Sequence, residues 1–154
     1  MVLPYETGKE RRASPSVLRI RKLPTGVVFE SGTMISDPGL YLGECAVIDV
    51  GSEAIQKQAA KLAAENAANT AVRGYHFVRD EIRHSADYQL NPVTCRASNV
   101  LLHGTGYCYA KAHLLSALLR ANGIPSGLCY QRLSVDGERE PFCLHGLNAV
   151  HLAG

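Results

Sequence analysis

Residues 104–125 read GTGYCYAKAHLLSALLRANGIP, and this stretch decides the fold. Cys108 follows two glycines and a tyrosine. It opens a run of good helix formers that is apolar on most faces, through Cys108, Ala110, Ala112, Leu114, Leu115, Leu118 and Leu119. A helix apolar nearly all round belongs inside a core, so the pattern predicts a central buried helix over 107–121. Asn122-Gly123 is a good left-handed stop, and Ile124-Pro125 keeps the helix from continuing.

Working outward, Gly127–Leu133 and Phe142–Leu152 alternate with period two. The Asp136-Gly137 turn signal between them predicts an antiparallel hairpin. Upstream, Ser52 fits an N-cap for a helix over Glu53–Ala68, with Ile55, Ala59, Leu62 and Ala63 facing inward. Thr70 is expected to cap a second helix over 71–84 whose buried stripe is Val72, Tyr75, Val78 and Ile82. Residues 85–104 read as an irregular connection with a short helix from Ser98 to Leu102, closed by His103-Gly104. Helices first and strands after make an α+β domain. Residues 1–38, broken by Pro4, Pro15, Pro24 and Pro38, are expected to be a variable and partly disordered basic head, with a weak edge strand at Val17–Arg21. Residues 39–154 then form the core.

Composition bounds the function. With 154 residues, 46% hydrophobic and 19% charged, the chain has enough material for one folded domain. The net charge is +2, but residues 1–22 carry +4 and the rest carries −2. The body is therefore no nucleic-acid platform, and no nucleic-acid partner is expected. No run of about 18 apolar residues exists to span a membrane, and MVLPYETGKERR lacks a signal-peptide core. The five cysteines Cys45, Cys95, Cys108, Cys129 and Cys143 are odd in number and contain no C-x-x-C. They read as reduced thiols in a cytoplasmic protein with no metal and no cofactor.

The chemistry centres on Cys108. A cysteine at a helix N-terminus meets the positive end of the macrodipole, which favours the thiolate. A core cysteine is the plainer reading until a base is found. His145 supplies one. It lies mid-strand, sharing a face with Cys143, Leu147 and Ala149, and if that face packs on the central helix its imidazole reaches the sulfur. Gly146 leaves room for substrate, and Tyr107 or His103 could supplement the backbone N–H of Cys108 as oxyanion donors. His113 lies about 140° around the helix from Cys108 and faces elsewhere. His76 and His84 are assigned to a solvated face of the second helix.

The segment Gly106–Pro125, with its Gly-x-Cys start and Arg-x-x-Gly-Ile-Pro end, resembles the nucleophile helix of the transglutaminase-like superfamily. His145-Gly146-Leu147-Asn148-Ala149-Val150 resembles its histidine strand. Together with Tyr75–Arg83, these motifs are similar to bacterial members described as cysteine proteases, over about residues 45–152. The resemblance implies a papain-like core, Cys108 as nucleophile, His145 as base, and a peptide or protein amide as substrate. It also implies an Asp on a further strand, whereas this sequence has no Asp beyond Asp136. The expectation is thus a core whose C-terminal strands are missing, with an open sheet edge beside His145 that invites a homodimer. The alternative is an inactive peptide-binding scaffold or a fragment.

Overall fold

Ten consecutive residues of one helix, Ala110–Leu119, are buried. This helix, α4 (Cys108–Ala121), is the axis of the molecule. The structure, a computed structural model, describes residues 2–3, 21–23, 26–28, 37–135 and 140–152. Three helices pack on α4: α1 (Glu53–Leu62), α2 (Ala67–Asp80) and α3 (Ala97–His103). A three-stranded sheet, in the order β1 (Val2–Leu3), β7 (Phe142–Val150), β6 (Ser126–Ser134), packs on it as well. The shared core joins Ile55, Ala59, Ala71, Val78, Leu114, Leu115, Leu118 and Val150. This is the α+β architecture expected from the sequence.

Three boundaries move for identifiable reasons. α1 stops at Leu62 rather than Ala68, because Ala63 turns extended and exposed, with Arg73 donating to its C=O at 3.0 Å and Thr70 Oγ1 accepting from Ala64 N–H at 2.9 Å. α2 is capped by Asn66, whose side chain accepts from Asn69 N–H at 2.8 Å. Thr70, the expected cap, is instead buried in the first turn, accepting from Ala64 N–H and donating to Asn66 C=O. The buried stripe shifts with it to Ala71, Gly74 and Val78, and Val72 is exposed. α2 stops at Asp80 rather than 84. Lys111 of α4 is buried, and its ammonium donates to the carbonyls of Ile82 and Arg79 at the end of that helix. A cation at a helix C-terminus satisfies carbonyls that have no partner in the ladder.

The chain then turns extended as β4 (Arg83–His84), which runs parallel to β5 (Thr105–Gly106). The bridge is held by Arg83 N–H to Gly104 C=O at 2.9 Å and Ser85 N–H to Gly106 C=O at 3.1 Å. Between these strands α3 ends at Gly104, whose φ of +61° is the left-handed geometry that glycine tolerates best.

β6 and β7 pair antiparallel along their whole length, from Ser126 opposite Val150 to Ser134 opposite Phe142. Their Asp136-Gly137 turn lies outside the described residues. So does Val17–Ile20 of the expected edge strand; Arg21 opens β2 (Arg21–Leu23), which pairs with β3 (Gly26–Val28). β1 joins β7 at Ala149 and Asn148, so part of the N-terminal segment belongs to the sheet and covers that end of its edge.

The inward face of β7 is Gly146, Asn148 and Val150, not the expected set of Cys143, His145, Leu147 and Ala149. The polar Asn148 disguised this parity. Its Nδ2 donates to Ala112 C=O at 2.9 Å and to Ser116 Oγ at 2.8 Å, and Ser116 Oγ lies 3.1 Å from Ser126 Oγ. Helix and sheet are thus joined by a satisfied polar clamp. Among the described residues, no helix is long and apolar enough to cross a membrane.

Candidate active site

Cys108 is the first residue of α4, with Tyr107 as N-cap. Its N–H therefore lies outside the helical ladder and at the positive end of the dipole. The sulfur is half-buried over the backbone of β7, with Gly146 N–H donating to Sγ at 3.4 Å and Leu144 C=O at 3.9 Å. So close an approach needs a glycine, because a Cβ at position 146 would sit 2.8 Å from Tyr109 Cα and 2.9 Å from its N.

The His145 side chain hydrogen-bonds to the Cys108 sulfur although it lies outside the buried face of the strand. A second imidazole, that of His84, hydrogen-bonds to it too. Burial pushes the Cys108 thiol up. The hydrogen bonds from His145, His84 and Gly146 N–H outweigh it and bring the thiol down to about 5. A sulfur ionised that easily is a thiolate in neutral solution, the state in which cysteine attacks carbonyl carbon.

His84 corrects the sequence reading. It is not on a solvated helix face but on β4, with its side chain 13% exposed. The parallel bridge sets it opposite Gly106, its ring meets that of Tyr107 edge-on at 5.6 Å, and Nδ1 lies 3.4 Å from Asp87 Oδ2. A sequence signal existed in the short interval between His84 and Asp87. It was masked because 71–84 read as one continuous helix.

The other candidates fall in different places. Tyr107 covers His84 and stacks on Tyr109. His103 ends α3 with its side chain exposed, away from the contacts of the sulfur. His76 is on the exposed side of α2. His113 is buried, with Nδ1 hydrogen-bonded at 2.8 Å to the Cys95 carbonyl, which leaves it facing away from Cys108. A small cavity adjoins the sulfur, lined by Tyr75, Val78, Arg79, Lys111, Ala112, Leu115, Gly146, Leu147 and Asn148. Burial lowers the Lys111 ammonium to about 8, partly offset by the negative charges of Asp80 and Asp87. Among the described residues, no three His, Cys, Asp or Glu side chains gather as a metal ion would require.

A family model described as the transglutaminase-like superfamily matches residues 55–151, which is more than half of the chain. Comparison with the curated proteins and with the solved structures gave no match. The match spans α1 to the end of β7 and takes in both Cys108 and His145. With its α+β fold and a cysteine opening the central helix, the chain belongs to the transglutaminase-like superfamily.

Proposed function

We propose that the protein is a thiol enzyme that acts on amide bonds of a peptide or protein through a Cys108 thioester, with hydrolysis favoured over transfer to an amine. The observation that carries this reading is the half-buried Cys108 sulfur at a helix N-terminus, bonded by an imidazole on the facing strand. The thiol proton passes to an imidazole, and the sulfur attacks the amide carbonyl. The Cys108 N–H meets the oxyanion that develops. As the C–N bond breaks, imidazolium at His145 gives its proton to the leaving amine, and water then resolves the thioester. The choice of water over an amine rests on the likeness to members described as cysteine proteases.

The test is mass spectrometry of the intact protein and its digests after mixing with a peptide-amide library, with and without a primary amine. The expected result is acylation confined to Cys108, release of the free acid, and no turnover in Cys108→Ala with the circular-dichroism spectrum unchanged. Amine incorporation would shift the reading to transfer. Peptide binding without acylation would replace it with an inactive scaffold. Turnover surviving in Cys108→Ala would overturn it.

A further inference from the structure

The acyl-transfer chemistry above gives His84 no task, yet the fold fixes it with care. Around β4 and β5 three buried hydroxyls are paired: Ser85 Oγ lies 3.0 Å from Thr105 Oγ1, Thr94 Oγ1 donates to Thr105 C=O at 2.7 Å, and Thr105 Oγ1 donates to Arg83 C=O at 3.2 Å. This locks the backbone of His84 against the residues directly before Cys108. The ring is shielded by Tyr107. Its neighbours are the Cys108 sulfur and, on Nδ1, the carboxylate of Asp87 at 3.4 Å. A histidine placed only for packing has no need of a thiol on one side and a carboxylate on the other. A carboxylate this close to a ring nitrogen favours a proton there and steadies the cation that forms.

We propose that His84 is a second catalytic residue of this site and Asp87 the carboxylate that positions it, so that the thiol proton of Cys108 has two seats, one on His145 and one on His84. The step balances as a proton transfer. The S–H bond breaks, its electron pair stays on sulfur, and an N–H bond forms on the imidazole facing it. When the amide C–N bond later breaks, the proton goes to the leaving amine from the ring that holds it. The inference rests on the reading of Cys108 as the acylated nucleophile. Other titratable or charged groups around the sulfur are Tyr107 and Tyr109 at the start of α4, Lys111 one turn along it, and Tyr75 and Arg79 of α2, which line the adjoining cavity.

The experiment is the pH profile of iodoacetamide labelling at Cys108, read by mass spectrometry from about pH 4 to 10. The proteins are wild type, His145→Ala, His84→Gln, Asp87→Asn and the pairwise combinations. Asp87 has a substantially exposed side chain, so Asp87→Asn tests the idea even if His84→Gln folds poorly. In His145→Ala the labelling midpoint rises by about one to two pH units, and in His84→Gln/His145→Ala it returns to about 8.5. Asp87→Asn raises the midpoint further in the His145→Ala background and has no added effect beside His84→Gln, the signature of a residue acting through its neighbour. A midpoint already near 8.5 in His145→Ala alone, or no effect of Asp87→Asn in that background, overturns the second seat and leaves the thiol-enzyme reading standing. A wild-type midpoint near 8.5 overturns that reading, and the second seat with it.

Discussion

At the scale of the residue, the site turns on one sulfur and one missing side chain. The Cys108 thiol lies near 5 because three donors outweigh its burial, so it is ionised above that pH and protonated below. At pH 6 an ordinary thiol is only about 0.3% thiolate, and Cys108 is mostly so. Iodoacetamide at pH 6 is therefore expected to label Cys108 ahead of Cys45, Cys95 and Cys143, although those three are more exposed. Peptide mapping of the labelled protein checks this. Gly146 is the other half of the site. Its absent Cβ would meet the backbone of Tyr109 and of Cys108 rather than a movable side-chain end. Gly146→Ala should force β7 and α4 apart, costing roughly 1–3 kcal/mol as overpacking does and slowing Cys108 labelling. Urea unfolding and the labelling rate measure the two effects separately.

At the scale of the element, the helix–sheet joint is polar where a sequence reader expects it to be greasy. Asn148 hangs two hydrogen bonds on α4, and truncation leaves a buried carbonyl and a hydroxyl without their donor. Asn148→Ala should lower stability by about 1–3 kcal/mol, read as a drop in the urea midpoint. The same residue explains why the parity of β7 was misread, since burial usually selects apolar side chains and here it selects a satisfied amide. α4 was legible because its pattern is redundant: apolar on most faces, glycines before it, Asn122-Gly123 after it. The β6–β7 pairing was legible from alternation, and Cys108 and His145 from the motifs around them. β4 and β5 were not. Two-residue strands carry no period, and they exist because residues far apart in the chain supply each other's hydrogen bonds. His84 was lost with them, and so was the buried Lys111 that ends α2.

At the scale of the whole molecule, two buried titrations tie folding to pH in the same direction. Burial depresses Lys111 to about 8 in the folded chain from an ordinary 10.5, so between these values the unfolded chain holds a proton that the folded chain has released. Stability then rises with pH across that window, by at most roughly 3–4 kcal/mol and less where water reaches the ammonium. For Cys108 the folded value is also depressed, from the ordinary thiol range to about 5. Its contribution is complete above the unfolded value and is lost as pH falls toward 5. Urea titrations at a series of pH values should show the upper limb flattened in Lys111→Met and the lower limb flattened in Cys108→Ala, each relative to wild type.

The sulfur and its partners come from three distant stretches of chain: β4, the start of α4, and β7. None of them neighbours another along the backbone, so a ribosome-bound or heat-opened chain carries Cys108 as a plain, sluggish thiol. The thiol is brought fully down only when both β4 and β7 have docked. Under the thiol-enzyme reading proposed above, a chain that has not finished folding is thereby kept from attacking itself or its neighbours. The speed of alkylation at mildly acid pH then serves as a clock for assembly, counting native molecules without any substrate.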